Sequence, residues 1–231
     1  TTVIDVAHSD VDSGDTIAYT LTGSVDDGLF DIVSGTGVVT FKSSPDFETP
    51  LGGTGDDSNT YEINVNVNDG TVNVVQAHTI AVVDANDAPV ITTTAFTNIA
   101  ENQAAIGTLG ATDADSSDAI TFTITGGNDE DKFVVSGIGG STLAFNFSPN
   151  FESPTDTGTN NVYEVEITAT DNGSGSLTGV QTVSVTVINA NEAPVITGGA
   201  TDTASVAENT NAATTVIDVA HSDVDSGDTI A

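Results

Sequence analysis

The sequence predicts an all-β chain of tandem antiparallel β-sandwich modules, and three observations carry that prediction. Apolar residues recur at period two, and no helical stripe interrupts them. Threonine and valine, which suit a pleated, half-buried surface, fill the alternating runs. Gly, Asp, Asn, Ser and Pro divide the chain into short stretches, about seven to a module, as an antiparallel sandwich requires.

Taken in chain order, Tyr61, Ile63, Val65 and Val67 face one way along a strand. Ile120, Phe122 and Ile124 alternate with threonines. Tyr163, Val165, Ile167 and Ala169 point inward, with Glu164, Glu166, Thr168 and Thr170 opposite. Val183, Val185 and Val187 alternate with Ser184 and Thr186 in the last strand of that module. The resulting core is light, made of Val, Ile and a few Phe and Tyr, so each module is expected to be modestly stable without help.

The chain repeats itself on two scales. Residues 1–18, TTVIDVAHSDVDSGDTIA, return unchanged as residues 214–231, an offset of 213. Inside that unit a looser repeat of about 105 residues appears. DANDAPVIT at 84–92 returns as NANEAPVIT at 189–197, and SPDFETP at 44–50 as SPNFESP at 148–154. Tyr61-Glu62-Ile63 matches Tyr163-Glu164-Val165, and Ala100-Glu101-Asn102 matches Ala207-Glu208-Asn209. The expected divisions are a module lacking its first strands at 1–87, a complete module at 88–192, and the opening of a third at 193–231. Repetition favours length and reach over a single catalytic site.

Thirty-four acidic residues face two lysines and no arginine, a formal charge of −32. That balance argues against nucleic acid and anionic membranes as partners. It also demands neutralisation, because unpaired carboxylates repel in a compact state. Cysteine is absent, which excludes disulfides, thiolate zinc and a cysteine nucleophile. No apolar run approaches membrane-spanning length.

The carboxylates gather in turns at module ends. Calcium takes about six to eight oxygens from carboxylates, amides and backbone carbonyls in flexible geometry. Asp84-Ala85-Asn86-Asp87, Asp113-Ala114-Asp115-Ser116-Ser117-Asp118, and Asp10-Val11-Asp12-Ser13-Gly14-Asp15 with its copy at 223–228 all offer such oxygens. Their order is more specific than any one of them. Ala-Glu-Asn is followed by Asp-x-Asp, then Pro-Asp/Asn-Phe-Glu, then Tyr-Glu with an aspartate at its strand end, then the Asp/Asn-Ala-Asn-Asp/Glu-Ala-Pro boundary. This succession resembles cadherin repeats, particularly the bacterial cadherin-like repeats of large secreted adhesins and surface filaments, and it spans the chain. The resemblance implies Greek-key sandwiches with Ca2+ between successive modules.

On that resemblance, the first junction uses Asp46, Glu48, Asp84, Asn86, Asp87, Asp113, Asp115 and Asp171. The second uses Glu101, Asn150, Glu152, Asn189, Asn191, Glu192, Asp223 and Asp225. Asp10, Asp12 and Asp69 belong to a third. Asp46, Asp84 and Asp87 become Asn150, Asn189 and Glu192, which removes two formal charges and implies weaker calcium binding at the second junction.

Other features carry less. His8 and His221 lie beside Ser9 and Ser222, but chain neighbours rarely converge as a triad must, so they read as surface residues near a turn. His78 aligns with Val183 and reads as a satisfied, half-buried side chain. Gly52, Gly53 and Gly55 open no helix and read as a loop. The chain offers no enzyme chemistry. The function implied is a calcium-stiffened structural region of an extracellular or cell-surface stalk or fibre, bacterial by resemblance. Its partners would be neighbouring repeats, joined covalently or head to tail. Alternatives are a module binding carbohydrate or making homophilic cell-cell contacts, or an accessory region of a secreted hydrolase.

Overall fold

A computed structural model describes residues 2–11, 14–52, 58–197, 203–213, 215, 217 and 219–225. Asp12, Gly53 and Gly55 therefore lie outside the described residues. Contacts divide the chain into two compact units, Thr1–Asp87 and Ala88–Ala231. The described residues are all-β, with three short 3-10 turns and no α-helix.

The first unit holds β1 (Ile4–Asp5), β2 (Ala18–Leu21), β3 (Phe30–Ile32), β4 (Val38–Phe41), β5 (Thr60–Asn68) and β6 (Asn73–Ala81). They form two antiparallel three-stranded sheets, β2-β5-β6 and β1-β4-β3. Between them lie Tyr19, Phe30, Val39, Tyr61, Ile63 and Val65, none more than 2% exposed. Phe41 and Tyr61 meet edge to face at 5.3 Å, a packing that adds about 1 kcal/mol beyond its area.

The second unit contains β7 (Val90–Ile91), β8 (Ala95–Ala100), β9 (Ala105–Thr108), β10 (Ala111–Thr112), β11 (Thr121–Gly126), β12 (Phe133–Ser136), β13 (Thr142–Phe145), β14 (Val162–Thr170) and β15 (Thr178–Ile188). One sheet runs β11-β14-β15-β8 and the facing one β12-β13-β9, with β10-β7 beside them. Two further short strands, β16 (Val195–Ile196) and β17 (His221–Ser222), pair antiparallel. The inward face expected from Tyr163, Val165, Ile167 and Ala169 is fully buried. So are Val183, Val185 and Val187 of β15, while Ile120 and Ile124 pack on the core from its edge.

Nine short strands at 90–188 amount to seven in a sandwich, because the first two are broken. β7 pairs with β10 antiparallel, whereas β8 pairs with β15 in parallel. The break at Thr92–Thr94 lets the chain cross from one sheet to the other, held by Thr92 and Thr93 N–H donating to the Gly110 carbonyl. Gly179 is needed where the linker presses on β15: a Cβ there would sit 1.9 Å from the Pro89 carbonyl oxygen. Gly127, at φ 111°, follows the bulge in β11, and a Cβ there would lie 2.6 Å from Val165 Cα.

Candidate metal centre

At one end of the second unit β8 stops at Ala100, and Asn102 takes a left-handed conformation, φ 62°. This turn drives the Glu101 side chain inward until it is 1% exposed. Glu101 Oε2 accepts the Phe151 N–H at 2.8 Å and Oε1 the Ala190 N–H at 2.9 Å. One carboxylate thus ties the end of the first strand to the Pro149–Glu152 loop and to the stretch after β15. Each of its oxygens keeps a second lone pair for a ligand.

Around it the acids converge. Carboxylate oxygens of Glu101, Glu152 and Glu192 lie within 4.8 Å of one another. Asn102 donates to Glu192 Oε1 at 2.6 Å, and Asp225 Oδ2 accepts the Glu192 N–H at 2.7 Å. Asp223 Oδ1 in turn holds the Asp225 N–H at 3.1 Å. Loss of water, then Glu101, Asp225 and Glu152 nearby, push the Glu192 carboxyl above its ordinary value. Glu192 Oε2 and Asp225 Oδ1 are buried without a hydrogen-bond partner. Hard, negative, unsatisfied oxygens are what calcium takes, so the donor set fits that ion. Asn189 and Asn191 are exposed beside the group, and Asn191 Nδ2 donates to the Glu192 carbonyl at 3.0 Å.

The opposite end of the same unit gathers Asp113, Asp115 and Asp171. Asp113 Oδ1 accepts the Asp115 N–H at 3.1 Å, and its Oδ2 is buried without a partner. Asp171, 4% exposed, closes the β14–β15 loop by accepting the Gly173 and Leu177 N–H groups on Oδ1. Asn172 Oδ1 accepts the Ala119 N–H at 2.6 Å, which ties that loop to the one carrying Asp113 and Asp115.

In the first unit, oxygens of Glu48 and Asp84 approach within 4.8 Å, and Asn86 and Asp87 follow on the same stretch. Asp46 Oδ1 accepts the Thr49 N–H at 2.8 Å, and that bond holds its carboxyl below the usual value. Asn150 plays the same part in the second unit, accepting from Ser153 N–H at 2.7 Å, so both residues are also turn-makers. Asp10, Asp15 and Asp69 form another group within 4.8 Å. Val72 and Thr71 N–H groups lower the Asp69 carboxyl.

Several participants escaped the sequence argument. Asp15 joins Asp10 and Asp69; the signal was the third acid of its own motif. Asn102, which follows the glutamate of the repeated Ala-Glu-Asn, donates to Glu192 Oε1. Asp129, 3% exposed, accepts Glu164 and Thr157 N–H groups, and Asp26 at 2% accepts the Glu62 N–H; both are internal braces. His8 is exposed, as expected, and is hydrogen-bonded through Nδ1 to the Tyr19 hydroxyl at 2.5 Å. One histidine expectation needs correction. His78 is half-buried as expected, but its Nε2 lacks the partner that a satisfied side chain would have.

This geometry has known counterparts. Residues 96–188 match the family model of the cadherin domain. The described residues fold as a cadherin-like β-sandwich. Cadherin domains are extracellular adhesion modules and typically bind Ca2+. The chain is 28% identical over 236 aligned residues to the cadherin EGF LAG seven-pass G-type receptor 2 of Mus musculus, and the match covers 98% of this chain. The Homo sapiens counterpart matches at 28% as well. The chain spans 8% of the length of these curated relatives. Among solved structures, human CDH23 EC21-23 superposes with a TM-score of 0.58 at 21% identity, covering 98% of this chain and 80% of that one. Mouse cadherin-23 EC22-24 gives 0.57 at 24%, covering 98% and 72%. Mouse protocadherin-24 EC1-3 gives 0.56 at 22%, covering 98% and 70%. Among the described residues no helix is long and apolar enough to cross a membrane.

Proposed function

We propose that this chain is a calcium-stiffened structural region of an extracellular adhesin stalk or surface fibre, of the bacterial cadherin-like kind. The observation that carries it is the Glu101–Glu152–Glu192 group, close-packed and backed by the buried, unpartnered oxygens of Glu192 and Asp225. Calcium would be held there by Glu101, Glu152, Glu192 and Asp225, with Asp223, Asn150, Asn189 and Asn191 alongside. Asp46, Glu48, Asp84, Asn86 and Asp87 of the first unit, and Asp113, Asp115 and Asp171 of the second, are proposed as further ligands. Asp10, Asp15 and Asp69 make another set, to which Asp12 belongs by sequence. The ion would supply the positive charge that the chain lacks.

Modules 1–87, 88–192 and 193–231 would follow one another and supply length, with neighbouring repeats as partners. The carbohydrate alternative finds no support in the aromatic residues. Every tyrosine and phenylalanine is buried or half-buried, so none offers an open face for a sugar.

Extracellular calcium modules bind at roughly 10⁻⁴ to 10⁻³ M. A single site filled at about 100 times its dissociation constant adds about 2.7 kcal/mol. Melting in millimolar calcium should therefore occur well above melting in chelator, and small-angle scattering should show a narrower range of dimensions. Unchanged melting and scattering would refute the calcium reading.

A further inference from the structure

The two units share a cluster of aromatic rings, and one place in it is filled differently. In the second unit Phe133, Phe145 and Tyr163 pack together, and a fourth ring joins them. Phe147 stands edge to face on Phe145 at 5.3 Å and lies 6.0 Å from Tyr163. In the first unit Phe30, Phe41 and Tyr61 hold the matching places. The backbone is held alike: Lys42 N–H donates to the Leu29 carbonyl at 2.9 Å, as Asn146 N–H does to the Lys132 carbonyl at 2.9 Å. SPDFETP at 44–50 aligns with SPNFESP at 148–154, so Ser43 stands where Phe147 stands. The first unit therefore has three rings where the second has four.

In that place lies an open cavity of about 210 Å³, walled by Leu29, Phe41, Pro45, Leu51 and Tyr61. An apolar cavity of about 150 Å³ suffices to hold benzene. The exchange extends beyond Ser43. Leu29 replaces Lys132 and Leu51 replaces Thr155, so two positions that are polar in the second unit are apolar walls here. Leu51 is 72% exposed and has contact area still to bury. At the rim Lys42 replaces Asn146. Its Nζ donates to the Gly28 carbonyl at 2.7 Å, as Asn146 Nδ2 does to the Asp131 carbonyl at 2.6 Å, and this uses one of three donors. No acidic side chain is among the described walls, in a chain with 34 acids. Every phenylalanine and tyrosine of the chain is buried or half-buried where it stands, so none is free to enter. All these differences are substitutions at positions present in both units.

We propose that this cavity binds small aromatic carboxylates. The ring takes the place that Phe147 fills in the second unit, edge to face on Phe41 and against Tyr61, and gains the burial that Leu29 and Leu51 offer. The carboxylate stays at the mouth, where the Lys42 ammonium donates a charge-assisted hydrogen bond. Lys42 is one of two cations in the chain, so an anion is accepted here and repelled over most of the remaining surface. The site requires no calcium.

The test titrates phenylpropionate into the 231-residue chain in chelator, so that calcium cannot hold the probe's carboxylate. Resonances of the Leu29 and Leu51 methyls and of the Phe41 and Tyr61 rings should shift saturably, while those of Phe145, Phe147 and Tyr163 stay still. Ser43→Phe should abolish the shifts by supplying the ring internally, and should raise the melting temperature of the first unit. Leu51→Thr, at an exposed wall where folding is not at stake, should weaken binding about tenfold. Lys42→Gln should weaken it about threefold. Phenylethylamine is of similar size and is favoured by the net charge of −32, yet it should bind more weakly than the acid. No saturable shift at millimolar probe, undiminished binding by the Leu51→Thr chain, or tighter binding of the amine overturns the proposal. Tighter binding of a peptide with an internal phenylalanine also overturns it, because the occupant would then be a partner protein's side chain.

Discussion

β5 and β14 are buried alike, but the strands that follow them are not. Tyr61, Ile63 and Val65 match Tyr163, Val165 and Ile167 in being shut away from water. β6 then has one buried position, Ile80, along nine residues, whereas β15 buries Val183, Val185 and Val187. The two strands alternate alike in sequence except that His78 stands where β15 has Val183. The difference lies in what stands beside them: β8 covers one flank of β15 and brings Phe96 and Ile99 onto the core. A sandwich of this kind is thus completed by its first strand, and a strand's burial belongs to its neighbours as much as to its own residues.

The comparison can be broken most forcefully by making the second unit resemble the first. Phe96→Ala removes the largest side chain that β8 contributes and should cost about 3 kcal/mol, the low end for a half-buried phenylalanine. The second unit's melting transition should fall while the first unit's stays put, and β15 amides should exchange faster. Equal shifts in both units would show that β8 is not the cause of the contrast.

A smaller effect is expected at the end of that strand. Glu101→Ala leaves the Phe151 and Ala190 N–H groups without their acceptor and should cost about 2 kcal/mol in denaturant unfolding. Glu208→Ala, at the matching but exposed position, should leave the stability of the isolated chain unchanged. A comparable loss from both substitutions would mean that Glu208 is already engaged within the chain.

The smallest expected effect is on pH dependence in chelator, and it has opposite sign in the two units. The Glu192 carboxyl is raised above its ordinary 4.5, so the folded second unit binds the proton more tightly than the unfolded chain. Its charged form works against folding at neutral pH, and that cost is relieved as pH falls toward 4.5. Asp46 and Asp69 are lowered from 3.8, so their contribution to the first unit is present above 3.8 and lost as pH falls through their depressed values. Melting curves between neutral pH and pH 4.5 should show the second unit gaining, and Glu192→Gln should abolish the gain. A gain that survives this substitution would place the raised proton affinity elsewhere.

Much of the fold was legible because it rests on local physics. Period-two burial follows from strand geometry, so the inward set Tyr163, Val165, Ile167 and Ala169 could be named from the sequence. Much of the acidic framework was legible too, since Asp and Asn mark turns and their order repeats. The part of Asn102 was not, and Asp15 was legible only as the last acid of its run, because spacing along the chain does not say which side chains meet. The parts of Asp26 and Asp129 were hidden for a related reason: bracing acids and metal-binding acids look alike until their N–H partners are known.

The sequence alone determined the strand pattern, the repeat spacing of about 105 residues and the excess of acid over base, because each is a property of composition and of the order of residues along the chain. Only the tertiary structure decided that Glu101, Glu152 and Glu192 meet and that the first strand of the second unit breaks at Thr92–Thr94 to change sheets. Each of these depends on residues far apart in the chain being brought side by side, and hydrogen-bond register between distant strands is settled by packing, not by the run of residues within either one.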